Sequence, residues 1–221
     1  MGSKATLPAP RRLRRIEPLD RERVLDAAAK LFREQGFDKT TLKEIAHACD
    51  MLPGSLHYRY PSKESLLIDM MRLGMSRIMA AAAGAAAGVD DPIDQVRRVL
   101  QAHLDTLVSG SDTVYVLLFD WRSLRGEARA ELIALRDAYE TQWMILLKHL
   151  RKQGLVRADI DLHLLRLIAL GAINWVSTWY HAGGRYSLDD IGKFIWQITC
   201  DAVLTPAARE RHRLANPTGA Q

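Results

Sequence analysis

Apolar residues recur three and four positions apart along most of this chain, and no stretch alternates with a period of two, so the pattern predicts helices throughout. From Asp20, the positions Val24, Ala28, Leu31 and Phe32 share one helical face, with Arg21, Lys30, Arg33 and Glu34 elsewhere. Gly36 supplies a stop, and Phe37 can pack back on the last turn. Thr41-Leu42-Lys43-Glu44 has the form of a capping box and opens a short helix with Leu42, Ile45 and Ala46 turned toward the first. After a break at Asp50-Met51-Leu52, Pro53 suits the first position of another short helix, which Pro61 ends. Ser62 then caps a fourth helix that runs into the 80s.

The remainder has the same grammar. Asp91-Pro92 opens a helix to about Val108, and Asp112 or Thr113 opens one through Leu124. After Gly126 a long helix reaches about Gln153, with Leu132, Leu135, Tyr139, Trp143, Leu146 and Leu150 as its stripe and Gly154 as its stop. Asp159 or Asp161 starts the next, running to His181 before Gly183-Gly184. Ser187 with Asp190 caps a last helix striped by Ile191, Phe194, Ile195, Ile198 and Ala202, which Pro206 closes. The expected fold is all-α with about nine helices. A three-helix helix-turn-helix domain over 19–68 precedes an antiparallel helical bundle over 69–206. Residues 1–18, with three prolines and Arg11, Arg12, Arg14 and Arg15, read as a disordered basic arm, and 207–221 as a polar tail.

Charge sharpens this division. The chain of 221 residues carries a net charge of +5. Residues 1–72 hold 14 Lys/Arg against 10 Asp/Glu, a balance of +4, while 73–221 hold 17 against 16. A basic excess in the helix-turn-helix third is the electrostatic footprint expected for nucleic acid. The basic arm fits a contact with DNA phosphates or the minor groove, and fits a solubilising tail equally well. The longest uncharged apolar run is too short to span a bilayer, and no apolar segment follows the basic N-terminus as a signal peptide would require. Two distant cysteines, Cys49 and Cys200, make no disulfide framework and indicate a reducing cytoplasm.

In helix-turn-helix proteins the second short helix enters the major groove, and its first residues reach base edges. Here those residues are Pro53, Ser55 and His57, with Gly54 leaving room for close backbone approach. Thr40 and Thr41 lie at a helix N-terminus, where hydroxyls and free N–H groups suit a phosphate, and Lys63 lies at the next one. The runs Ala28-Ala29-Lys30-Leu31-Phe32-Arg33-Glu34-Gln35-Gly36-Phe37, Thr40–Ala46 and Pro53–Glu64 together resemble the DNA-binding domain of the tetracycline-repressor (TetR/AcrR) family. The resemblance covers residues 20–68 and implies a homodimer on a pseudo-palindromic double-stranded DNA operator, joined through the last two helices. It also implies that Tyr58 meets the DNA backbone. Leu52 stands where the family often caps with Ser or Thr, and Asp50 where Gly is frequent. His57 and Arg59 also depart from the family's usual residues, so the operator sequence does not follow.

In the second half, Asn174-Trp175-Val176-Ser177-Thr178-Trp179-Tyr180 through Ile191, with Asp120–Leu124 and Leu135–Glu140, resembles family members that respond to acyl-CoA thioesters in fatty-acid or sterol-ring degradation. Trp175 and Trp179 share a helix face beside a polar face with Asn174 and Thr178, an arrangement that suits an apolar tail with a polar head. Core or dimer-interface anchoring explains the tryptophans equally well. Arg122 and Arg136 suit a phosphate or carboxylate, and Trp143 joins the candidate ligand-binding set. The seven histidines form no metal-binding pattern, and no phosphate loop or nucleophile elbow is present, so neither metal, cofactor nor catalysis is expected. The sequence therefore points to a ligand-responsive DNA-binding regulator, expected to be a repressor that an acyl-CoA effector releases from its operator. The alternatives are a helical acyl-thioester-binding enzyme and a ligand-independent architectural protein.

Overall fold

The computed structural model describes residues 18–108 and 112–215. Ten α-helices are described: α1 Pro18–Gln35, α2 Leu42–Ala48, α3 Pro53–Arg59, α4 Lys63–Ala86 and α5 Pro92–Val108, then α6 Asp112–Phe119, α7 Gly126–Lys152, α8 Leu162–Trp179, α9 Leu188–Val203 and α10 Pro206–Ala215. Among the described residues the only β-type pairing is a single antiparallel bridge between Val156 and Leu204. The all-α expectation holds.

The local signals act as the sequence implies. Gly36 takes φ +89° and ends α1. Thr41 accepts from the Glu44 backbone N–H at 3.2 Å while the Glu44 carboxylate accepts from the Thr41 N–H at 2.7 Å, completing the capping box. Ser62 with Ser65, and Ser187 with Asp190, form the same reciprocal cap on α4 and α9. Asp50 sits in the left-handed region at φ 53°, which a short polar side chain tolerates, and accepts from Arg23 at 3.0 Å.

Four boundaries differ from expectation. Helix α1 starts at Pro18, so the proposed arm is shorter by one residue; residues 1–17 lie outside the described residues. The helix after Asp112 stops at Phe119, and Asp120–Ser123 tighten into a 3₁₀ turn. Helix α8 ends at Trp179, two residues early, because Tyr180 turns extended. The largest difference is α10, built from residues read as a polar tail. Pro206 follows the end of α9 and begins this new helix, with Thr205 Oγ1 accepting from the Ala208 N–H at 3.4 Å. Ala208 is buried, and Trp196 Nε1 on α9 donates to His212 Nε2 at 3.1 Å, which docks α10. The tail beyond Ala215 lies outside the described residues.

Helices α1, α2 and α3 form the head, packed through Val24, Leu25, Phe32, Ile45 and Leu56, each at most 1% exposed. Helix α4 starts against the head and packs along α5, α6 and α7. Gly74 lets α6 approach: a Cβ there would meet Leu117 Cδ2 at 3.3 Å. Helix α6 also packs on α1, where Arg33 donates to Asp112 at 2.7 Å and lies 4.9 Å from the Tyr115 ring centre. The bundle and the head therefore share one continuous core.

Candidate DNA-reading head and effector cavity

The short helix α3 is amphipathic in the sense a reading helix requires. Leu56 is fully buried and Tyr60 is buried, while Gly54, His57 and Tyr58 face outward. Tyr58 is 92% exposed, an extreme value for an aromatic side chain with no partner to cover it within the head. A Cβ on Gly54 would meet nothing within 4 Å, so no contact inside the chain demands glycine there. Pro53 and Ser55 are half-buried at the same end, and exposed Thr41 stands at the start of α2.

The orientation of α3 is fixed from behind. Asp69 on α4 accepts from Arg21 Nε at 3.0 Å, from Arg21 Nη2 at 2.7 Å and from the Tyr60 hydroxyl at 2.6 Å. This carboxylate joins α1, the end of α3 and α4. Burial raises its pKa, but the bonds from Arg21 and Tyr60 and the Arg21 charge outweigh burial and hold it below the ordinary range. The Tyr60 hydroxyl is pushed up to about 12, first by burial and then by Asp69.

Two expected phosphate ligands have partners inside the chain. Thr40 is fully buried, and its hydroxyl donates to the Gly36 carbonyl at 2.9 Å while its N–H takes the same carbonyl at 3.3 Å. It closes the turn between α1 and α2, with its hydroxyl turned into the head. Lys63 donates to the carbonyls of Phe37 at 2.7 Å and Asp38 at 3.1 Å and lies 4.6 Å from the Phe37 ring centre, so its ammonium braces that turn. Both follow from tertiary packing, which places the Thr40 hydroxyl and the Lys63 stem against α1.

In the bundle, a cavity of about 320 Å³ lies between α4, α5, α6, α7 and α8. Its apolar wall includes Met75, Ile78, Leu107, Leu117 and Leu170. Its polar wall is a chain of hydrogen bonds. His103 Nδ1 lies 2.6 Å from the Tyr139 hydroxyl and His103 Nε2 lies 3.0 Å from Asn174 Oδ1. Oδ1 only accepts, so Nε2 donates to it, and with the buried imidazole neutral, Nδ1 accepts from the Tyr139 hydroxyl. Burial of the imidazole pushes its pKa down to about 4, against a smaller raising effect of Asn174. Asn174 is thereby held with its amide nitrogen as the remaining donor. Arg166, 4% exposed, is ion-paired with Glu140, and both line the cavity with Arg136.

The chain matches two family profiles. One described as "Bacterial regulatory proteins, tetR family" covers residues 24–70, and one described as "Tetracyclin repressor-like, C-terminal domain" covers 89–203. This chain belongs to the TetR family. It is therefore a DNA-binding transcriptional regulator of the TetR family and not an enzyme. It is 29% identical over 193 residues to the "HTH-type transcriptional repressor KstR2" of Rhodococcus jostii, covering 84% of this chain and 92% of that one. The TetR-family regulator PfmR of Thermus thermophilus superposes with a TM-score of 0.74 at 27% identity, covering 81% of this chain and 98% of PfmR. AibR, solved with isovaleryl coenzyme A and operator DNA, superposes with a TM-score of 0.75 at 24% identity, covering 81% of this chain and 97% of AibR.

Within this TetR fold, the six residues expected to bind ligand separate. Asn174, Trp175 and Thr178 line the cavity together. Trp143 is buried and lines a second cavity of about 230 Å³ between α4, α5 and α7, separated from the first by Tyr139, which lines both. Trp179 is 47% exposed and lies outside the set of lining residues. Arg122 is exposed on the 3₁₀ turn, 5.3 Å from the Trp121 ring centre, and does not line the cavity. The sequence reading missed His103, Tyr139, Glu140 and Arg166 as wall residues. The signal was present: a histidine among Val99, Leu100 and Leu104, and an arginine among Leu164, Leu165 and Leu167.

Proposed function

We propose that this protein is a ligand-responsive transcriptional repressor. Residues 19–68 read DNA, and residues 69–206 hold the effector and the dimer contact. Pro53, Gly54, Ser55 and His57 face base edges, and Tyr58 and Thr41 meet the sugar-phosphate backbone. The observation that carries the reading head is α3 itself, with Leu56 fully buried behind an outward face of Gly54, His57 and Tyr58. A homodimer through α8 and α9 brings two such heads to a pseudo-palindromic operator. The support for this interface is an uncovered apolar face: Ile168, Trp175, Phe194 and Ile198 are each at least 51% exposed.

The effector is an acyl-CoA thioester. Its acyl group lies against the apolar wall, and its carbonyl accepts from Asn174. The sequence resemblance and the pairing of an apolar wall with a fixed amide donor support this reading, as does the likeness to AibR, which was solved with isovaleryl coenzyme A and operator DNA. Effector binding favours a head spacing that mismatches the half-sites. The site of action is the cytoplasm, consistent with the absence, among the described residues, of any helix long and apolar enough to cross a membrane. The test is fluorescence anisotropy with the DNA upstream of the protein's own gene. A salt-sensitive, sequence-selective complex that hexanoyl-CoA dissolves and free CoA does not is expected. Absence of any selective complex overturns the regulator's proposed operator, and indifference to acyl-CoA overturns the effector.

A further inference from the structure

The Trp121 ring on the 3₁₀ turn is surrounded by three guanidinium groups. Arg122, Arg129 and Arg136 each lie with Cζ 5.3 Å from its centre. Arg129 and Arg136 stand seven residues apart on one face of α7, and Arg122 comes from the turn itself. Among the described residues, none of the three is ion-paired with a carboxylate. Of the acids nearby, Glu131 holds Arg72 at 2.6 Å and Glu140 holds Arg166, while Asp120, next to Trp121, is ion-paired with none of the three arginines among the described residues. Three like charges that share one indole repel each other, and attraction by the ring offsets this only in part. The cluster is thus short of negative charge.

The cluster is also continuous with the cavity. Arg136 belongs to both, touching Trp121 on one side and lining the cavity beside Glu140 and Arg166 on the other. Arg166 Nε is buried and finds no hydrogen-bond partner among the described residues, so the adjoining wall also has a donor to spare. We infer that Arg122, Arg129 and Arg136, framed on Trp121, form a phosphate subsite for the effector, beside the cavity that takes its acyl part. Guanidinium forks bind phosphate oxygens in pairs and add the charge a multiply ionised group requires. This inference rests on the acyl-CoA reading above for the identity of the phosphate: the nucleotide end of the thioester.

The experiment compares hexanoyl-CoA with the hexanoyl thioester of N-acetylcysteamine, which has the same acyl group and no phosphate. Binding is read by intrinsic tryptophan fluorescence and calorimetry on the full chain. ADP and free CoA form the third arm. In the wild type, hexanoyl-CoA binds more tightly than the phosphate-free thioester, by roughly tenfold or more, with an advantage that shrinks as salt rises. The double variant R122A/R129A changes exposed or half-exposed side chains that do not line the cavity. It removes most of that advantage and leaves the phosphate-free thioester unchanged. Equal binding of the two thioesters by the wild type overturns the subsite and leaves the acyl reading standing, as does an R122A/R129A protein with unchanged affinity for hexanoyl-CoA. Loss of both thioesters alike in the variant overturns it too, because a structural defect has no preference for phosphate. Arginine-dependent binding of ADP with no binding of either thioester supports the subsite and overturns the acyl reading.

Discussion

The neutral, buried His103 makes a quantitative prediction. Its pKa is near 4 in the folded chain, against about 6.5 for an unperturbed imidazole. The unfolded chain therefore binds a proton below pH 6.5 that the folded chain refuses until the pH nears 4. Stability from this group is fully present above pH 6.5 and is lost as the pH falls through that window. Linkage across those two values gives a loss of about 2 kcal/mol between pH 8 and pH 5. At this chain length that corresponds to a fall in Tm of about 4–8 °C. Urea or thermal denaturation followed by circular dichroism at fixed protein concentration measures it, with H103L as the comparison. Removing the imidazole leaves the Tyr139 hydroxyl and the Asn174 carbonyl unpaired, so H103L loses roughly 2–4 kcal/mol at pH 8. Its further loss on going to pH 5 is smaller than the wild type's by the same 2 kcal/mol or so, because the titrating group is gone. Parallel pH profiles for the two proteins, or a histidine at this position titrating near pH 6.5 by NMR, refute the reasoning.

Four further outcomes are expected. Tyr58→Ala leaves the melting temperature within error, since surface changes fall within about 0.5 kcal/mol, while operator affinity by anisotropy drops severalfold. Asp69→Asn costs about 2 kcal/mol in urea denaturation by removing charge-assisted bonds to Arg21 and Tyr60, and the wild type's share of that stability disappears as the pH falls below the usual carboxylate range. Arg33→Ala, which cuts the link between α1 and Asp112 of α6, costs under about 1 kcal/mol of stability. It shifts the effector concentration for half-release of DNA by several-fold. Ile198→Asp converts the dimer to monomer in sedimentation velocity and abolishes operator binding while the helical signal is kept.

The head was legible because its instructions are local. Thr41 with Glu44, Gly36, Pro53 and Ser62 each act within a few residues of themselves, so sequence spacing alone places α2 and α3. The cavity was legible only where one residue broke its helix's pattern strongly, as Asn174 does. The wall is assembled from five helices, and periodicity identifies an apolar face without naming the helix opposite it. Trp143 and Trp179 carry equal weight as aromatic residues in sequence, yet one packs against Tyr139 and the other is largely exposed. The intrachain partners of Thr40 and Lys63 were hidden for the same reason: a helix N-terminus specifies what can bind there, and the fold of α1 supplies the carbonyls that both side chains meet. The polar composition of α10 concealed its start, although Thr205-Pro206 has the same form as Asp91-Pro92, which was read correctly.

Helix α4 begins at Lys63 beside the reading head and runs for 24 residues to Ala86 against the bundle, without a break. At 1.5 Å per residue it is a rod about 36 Å long. A tilt of about 5° about Met75 and Ile78, which form part of the cavity wall, sweeps the head end, about 20 Å away, through about 2 Å. A hydrogen bond to a base edge tolerates only a few tenths of an ångström. The cavity therefore has no need to reshape the head: the mechanical advantage of one stiff arm turns a side chain's worth of swelling into the loss of a whole register of contacts.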